Sequence, residues 1–253
     1  MNVFDITGKT ALVVGAGGLG REIAGGLVNH GARVAVADVD LERAREISRE
    51  LGGQGGDVTA ASVNIVQEES VSALAESLRG RFGRLDILVN AAGGTVRKPA
   101  EELTLEDWDT VMELNARGVF ITCSVFGRQM IRDGGGKIVN LSSVRGRFPS
   151  DFAQAEYSAS KGAVDALTRA LAAQWGRFGV YVNAVAPTVI ETPLVSPLLE
   201  DEKFAARLRE SIPLGRWGEP RDLVGPVLFL ASPASDFVTG QILYVDGGLT
   251  GRI

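Results

Sequence analysis

The sequence predicts an α/β protein built on one doubly wound parallel sheet with helices on both faces. Short runs that are apolar throughout alternate with stretches of helical spacing along the chain. Such runs fit strands buried on both sides rather than strands with one wet face. A Gly-x-Gly-x-x-Gly string also lies where the first run turns into the first helical stretch, and the 253 residues are 45% hydrophobic and 23% charged, enough for a large core.

In order, the strand expectations are 10–14, 33–37, 85–90, 136–141, 181–185 and 241–245. The helical expectations between them are 20–30, 41–51, 68–82, 105–132, 155–178 and 221–231. The alternation implies crossover connections in one sheet. The rhythm breaks at 193–213, where Pro193, Pro197 and Pro213 surround a polar helical stretch at 199–210. This segment is expected to be a lid inserted over the sheet. No repeat, low-complexity tract or long linker divides the chain, so one domain over 1–253 is expected.

Composition excludes several functions. With 26 Lys+Arg against 31 Asp+Glu the net charge is −5, which gives no electrostatic reason to bind nucleic acid or anionic lipid. The one cysteine, Cys123, cannot form an intrachain disulfide, and with the one histidine, His30, it makes too small a set for a Cys/His zinc centre. No metal is expected. A Ser-His-Asp hydrolase would have to use His30, which lies in Asn29-His30-Gly31, a helix end by its residues. The N-terminal residues lack the pattern of a secretion signal and no apolar run is long enough to span a bilayer, so a soluble cytoplasmic protein is expected.

The glycine string is Gly15-Ala16-Gly17-Gly18-Leu19-Gly20, between Ala11-Leu12-Val13-Val14 and Arg21-Glu22-Ile23-Ala24. Gly15 permits the tight turn, Gly17 lets backbone approach a pyrophosphate, and Gly20 lets helix and strand close together, a dinucleotide site of Rossmann type. The second strand ends at Asp38, 18 residues beyond Gly20, where a carboxylate accepts from both adenosine ribose hydroxyls and repels a 2′-phosphate. NAD is therefore the expected cofactor. The competing reading of Asp38 is a cap for the helix near Leu41, a role for which Asp40 is the better candidate.

With histidine scarce, proton transfer falls to Tyr, Lys, Ser or a carboxylate. Tyr157-Ser158-Ala159-Ser160-Lys161 places Tyr157 and Lys161 one helical turn apart, where a lysine ammonium favours phenolate. Taken alone, the pair also fits a solvated surface.

The order of motifs resembles the short-chain dehydrogenase/reductases over essentially the whole chain. The motifs are the glycine loop, Asn90-Ala91-Ala92-Gly93, Asn115, Ser142-Ser143, Tyr157 with Lys161, Pro187 with Thr192, and Asp246-Gly247-Gly248. The resemblance implies that Tyr157 is the general acid/base and that Lys161 lowers its pKa and holds the nicotinamide ribose. It implies further that Ser143 binds the substrate oxygen and Asn115 organises a water chain. Ser143, 14 residues before Tyr157, fits the family phrase Ser143-Val144-Arg145-Gly146, with Ser142 as the alternative. Implied cofactor contacts are Gly15, Gly17, Gly18, Leu19 and Gly20; Asp38; Asn64 and Ile65; Asn90, Ala91 and Gly93; and Pro187, Ile190 and Thr192. A homotetramer is the family's usual assembly.

Three departures stand out. The glycine loop is one residue shorter than the family's and lacks its leading threonine, Asn64-Ile65 replaces Asp-Val, and Thr188 replaces the glycine after Pro187. The substrate pocket is expected from 94–99, 145–154 and 193–213, with Arg145 or Arg147 a candidate for binding a carboxylate and a solvated basic loop the alternative. The resemblance is strongest to members acting on polyols, sugar acids and cyclic alcohols. The expected reaction is NAD-dependent interconversion of a secondary alcohol and a ketone. An NADPH-linked reductase of 3-oxoacyl or cyclic ketones and a non-catalytic dinucleotide sensor are the alternatives.

Overall fold

The structure is a computed structural model that describes residues 2–148, 153–193 and 195–252. Among the described residues seven strands, β1 (Thr10–Val14), β2 (Arg33–Asp38), β3 (Val58–Ser62), β4 (Ile87–Asn90), β5 (Gly136–Leu141), β6 (Val180–Pro187) and β7 (Ile242–Val245), form one sheet. Every pairing is parallel and the order is β3-β2-β1-β4-β5-β6-β7. The helices are α1 (Gly18–Asn29), α2 (Leu41–Gly53), α3 (Glu68–Phe82), α4 (Leu105–Met112), α5 (Gly118–Arg132), α6 (Ala155–Trp175), α7 (Ser196–Leu199), α8 (Glu202–Ser211) and α9 (Val224–Ala231).

The apolar runs become strands because both faces are covered. Val14, Ala35, Ala37 and Leu88 meet α3, α5 and α6 through Leu74, Phe126 and Val164, while Val13, Val34, Val36 and Val89 meet α1 and α9 through Ile23, Leu27 and Val227. Strand β3 has no counterpart among the sequence expectations. It is an edge strand, Val-Thr-Ala-Ala-Ser, pairing only with β2, and its partly exposed side chains do not require an apolar run.

Helix boundaries also differ in informative ways. The first helix starts at Gly18 instead of 20, so its opening turn is made by the glycine loop itself. The expected helix 105–132 is α4 and α5 joined by a π turn at Glu113–Arg117, which opens one turn around Asn115. The stretch 155–178 divides into α6 and a single 3-10 turn, and 221–231 into a 3-10 turn at Pro220–Leu223 followed by α9. Within 193–213, α7 and α8 follow β6. Residues 149–152 of the expected pocket and residue 194 of the expected lid lie outside the described residues.

Register places the site. Val14 pairs with Asn90, Asn90 with Asn140, and Leu141 with Val185, so the carboxyl ends of β1, β4, β5 and β6 end nearly level. Strand order reverses between β1 and β4, and a crevice forms at such a switch point.

Candidate active site

The crevice begins at the glycine loop. Gly15 adopts φ +102, and a Cβ there would stand 2.5 Å from the Ala92 nitrogen, so this position fixes the contact between the turns after β1 and β4. A Cβ on Gly20 would collide with the Gly15 carbonyl oxygen. A Cβ on Gly17 would meet open space, and one on Gly18 would face the Thr192 methyl at 3.4 Å, with partly buried Leu19 packed beneath. No side chain caps α1, so its first-turn amides and the positive end of its dipole face this opening. Open space over Gly17, free helix amides and a wall at Thr192 fit the pyrophosphate of a dinucleotide.

At the end of β2, Asp38 Oδ2 accepts from the Ala16 amide at 2.6 Å and Oδ1 from the Asp40 amide at 3.0 Å. The cap of α2 belongs to Asp40, which accepts from the amides of Glu42 and Arg43. Asp38 therefore braces the shortened glycine loop and keeps lone pairs for a ribose. Asn64 Oδ1 accepts from the Val66 amide at 3.2 Å, so its amide nitrogen is the group left for an adenine. Buried Ile65 packs its side chain against Gly118 and offers the crevice only backbone.

Three further cofactor candidates meet near β4. Asn90 is buried and its amide nitrogen donates to Asn140 Oδ1 at 2.9 Å and to Cys123 Sγ at 3.4 Å, so its side chain ties β4, β5 and α5 together beneath the crevice. Any contact of Asn90 with an adenosine falls to its backbone. The Ala91 amide is bonded to the Val14 carbonyl at 2.8 Å, continuing the ladder past the strand ends. A Cβ on Gly93 would lie 3.2 Å from Asn115 Oδ1 and 3.5 Å from Lys161 Nζ, so glycine keeps open a hollow bordered by both side chains. Across the crevice, Pro187 ends β6, Ile190 is buried and forms an isolated parallel bridge with Gly218, and Thr192 faces Gly18. Among the described residues the Thr188 hydroxyl oxygen is buried without a partner, while the Thr188 amide is bonded to Val245.

The structure brings the four catalytic candidates to one end of α6. The two serines separate cleanly. Ser142 Oγ is bonded to Asp165 Oδ1 at 2.5 Å under the helix, whereas the Ser143 side chain acts on Tyr157. Ser143 also accepts from the Arg145 amide, which orients it. Asn115 is fully buried in the π turn. Its Oδ1 accepts from Gly94 N at 2.8 Å, and its nitrogen donates to Gly94 O at 2.7 Å and Ser160 Oγ at 3.0 Å. Both amide protons are committed, so only the oxygen retains capacity for a water.

Lys161 is buried and donates to the Leu141 carbonyl at 2.7 Å, with Nζ 5.6 Å from the centroid of the Tyr157 ring. Burial lowers its pKa from 10.5 to about 8, against the opposing charge of Asp165. The Tyr157 pKa is raised, because desolvation outweighs the Ser143 side chain and the charges of Arg145 and Arg97.

Arg97 is the residue that motif reading missed. The neighbouring Lys98 is paired with Asp107 at 2.7 Å, while the charge of Arg97 bears on Tyr157. Its place within 94–99, an expected pocket segment, was the available signal. The two arginines beyond Ser143 also divide. Arg145 acts on Tyr157, whereas Arg147 acts on Asp165 and lies over the Phe148 ring.

A glycine-lined crevice at the switch point, leading to a Ser-Tyr-Lys cluster, defines a dinucleotide-dependent oxidoreductase. Residues 14–250 match the family model described as enoyl-(acyl carrier protein) reductase. The chain is 39% identical over 248 residues to D-threitol dehydrogenase of Mycolicibacterium smegmatis, covering 98% of this chain and 95% of that one. It is 36% identical over 249 residues to 5-keto-D-gluconate 5-reductase of Escherichia coli, covering 98% of each. A gluconate 5-dehydrogenase from Burkholderia cenocepacia, solved in complex with NADP and tartrate, superimposes with a TM-score of 0.96 at 38% identity, covering 100% of this chain and 99% of that one. The protein belongs to the short-chain dehydrogenase/reductase family and is an alcohol/ketone oxidoreductase.

Proposed function

We propose that the protein interconverts a secondary alcohol and a ketone on a polyhydroxylated acid of the sugar-acid type, using NAD. The observation that carries this reading is that Ser143 and the positive charges of Arg97 and Arg145 all act on Tyr157, whose ring lies 5.6 Å from Lys161 Nζ. A carboxylated substrate placed with its carbinol at Tyr157 has two guanidiniums to receive its charge. The names of the Escherichia coli and Burkholderia relatives support an acid, and that of the Mycolicibacterium relative supports a polyol framework.

The cofactor, when bound, exchanges a hydride with the carbinol carbon. In the oxidative direction Tyr157 removes the hydroxyl proton and Ser143 donates a hydrogen bond to the reacting oxygen. Lys161 supplies a buried positive charge beneath the tyrosine ring and reaches the hollow at Gly93, where a nicotinamide ribose fits. Asn115 holds Gly94 on both backbone groups and leaves one acceptor for a water serving Lys161. NAD is favoured because the side chain fixed at the end of β2 against the glycine loop is the Asp38 carboxylate. NADP is the second reading, favoured by its presence in the Burkholderia structure.

The test compares a sugar acid with a neutral polyol as substrates. Arg97→Ala and Arg145→Ala should each raise KM for the acid by about 10-fold or more, the value of one charge-assisted contact, and leave KM for the polyol within about 3-fold. Equal effects on both compounds would refute the carboxylate assignment.

A further inference from the structure

Directly before Tyr157 stands an acid whose placement the chemistry above does not use. Glu156 lies in the first turn of α6 and is fully buried. Its Oε1 accepts from the Thr95 hydroxyl at 3.0 Å and from the Val96 amide at 3.1 Å. Among the described residues its Oε2 is buried without a hydrogen-bond partner. A buried carboxylate with one unsatisfied oxygen is a poor choice for stability, since an apolar side chain of that size would avoid the desolvation cost. The positive end of α6 offsets part of that cost. What the acid does achieve is positional.

Residues 160 and 156 are four apart and share a face of α6, next to the face that carries Tyr157 and Lys161. From that face the segment after β4 is stitched down twice. Asn115 holds Gly94 and is itself bonded to Ser160, and Glu156 holds Thr95 and Val96. The next residue is Arg97, whose charge bears on the Tyr157 hydroxyl. Two consecutive anchors thus fix the backbone immediately before the arginine, and both refer it to the helix bearing the acid/base.

We infer that Glu156 is a positioning residue that locks the 94–97 segment to the catalytic helix and so sets where Arg97 meets the substrate. The inference rests on the sugar-acid reading for the identity of the ligand, but the lock itself does not. Losing Glu156 should loosen substrate binding while Tyr157, Ser143 and Lys161 keep their arrangement, a KM effect instead of a kcat effect.

The experiment pairs steady-state kinetics with amide hydrogen exchange on the full protein. Glu156→Ala should raise KM for the sugar acid at least 10-fold with kcat within about 3-fold and KM for the dinucleotide unchanged, and should speed exchange across 94–98. Glu156→Gln keeps an acceptor for Thr95 and Val96, and it should restore both KM and exchange protection. Thr95→Val removes one of the two donors without touching the acid and should give an intermediate exchange effect, which preserves the test if Glu156→Ala does not fold. Unchanged exchange across 94–98 in Glu156→Ala, or a fall in kcat with KM unmoved, would overturn the proposal. If the wild type ignores sugar acids yet exchange responds as described, the substrate reading fails and the lock stands.

Discussion

Replacing Asp38 with Asn separates the charge at the end of β2 from its structural duty. In the wild type Oδ2 accepts from Ala16 N at 2.6 Å and Oδ1 from Asp40 N at 3.0 Å. An asparagine keeps one oxygen for the loop amide, so the glycine loop stays braced, and the Asp40 amide is exposed enough to turn to water. Two energies then move in opposite directions. A unit negative charge about 4 Å from a carboxylate costs about 4 kcal/mol at an effective dielectric of 20, and water and salt at a half-exposed rim reduce this to roughly 2 kcal/mol, which NADP regains. A ribose hydroxyl that loses a charged acceptor for a neutral one forfeits about 1 kcal/mol, which NAD loses. Together they shift the ratio of kcat/KM for NADP over NAD by about 3 kcal/mol, on the order of a hundredfold or more. The assay is initial-rate kinetics with each oxidised cofactor and one saturating alcohol. A ratio that moves less than about 3-fold, with the variant folded, would refute the argument that the Asp38 charge selects the cofactor.

Three other outcomes follow from the same geometry. Lys161 has a folded pKa of about 8 against an ordinary 10.5, so between those values the unfolded chain binds a proton that the folded one has released. The stability difference between wild type and Lys161→Met should therefore rise in favour of wild type with pH across that window, by up to about 1.4 kcal/mol per pH unit, as followed by urea midpoints. Burial pushes the single thiol, Cys123, up to about 12, so a thiol reagent should find nothing to react with in the native protein and one equivalent in urea, at a rate that reports unfolding. Gly20→Ala would drive a methyl into the Gly15 carbonyl, and it should lower the melting temperature by several degrees and weaken dinucleotide binding at least 10-fold, measured by thermal denaturation and fluorescence titration.

Legibility followed the physics of each signal. Buried central strands and the glycine turn are local patterns, so β1, β2, β4, β5 and β6 were evident from apolar runs, and Gly15 and Gly20 from spacing. Strand β3 was invisible because an edge strand with half-exposed Thr, Ala and Ser carries no such run. The π turn at Asn115 was hidden in an uninterrupted helical pattern, since its cause is the tertiary demand of Gly94 and Ser160 on one side chain. Ser142 and Ser143 are adjacent, the family phrase favours Ser143, and in the structure their partners, Asp165 and Tyr157, tell them apart. The same holds for Arg145 against Arg147. Burial raises the Tyr157 pKa and lowers that of Lys161, and neither desolvation can be read from the spacing of the two residues. Arg97 and Glu156 belong to no motif, and their relation to Tyr157 exists only once the segment after β4 folds across α6.

In the proposed reaction Tyr157, with Ser143, transfers the proton in an NAD-linked oxidation of a sugar acid. The most direct test is the appearance of reduced-cofactor absorbance with NAD and a panel of sugar acids and polyols, run in parallel for wild type and Tyr157→Phe. The wild type is expected to turn over a sugar acid, and Tyr157→Phe to lose about 10²-fold or more in kcat with dinucleotide binding retained. Normal turnover by Tyr157→Phe, or a wild type that binds NADH and oxidises none of the compounds, would contradict the proposed reaction.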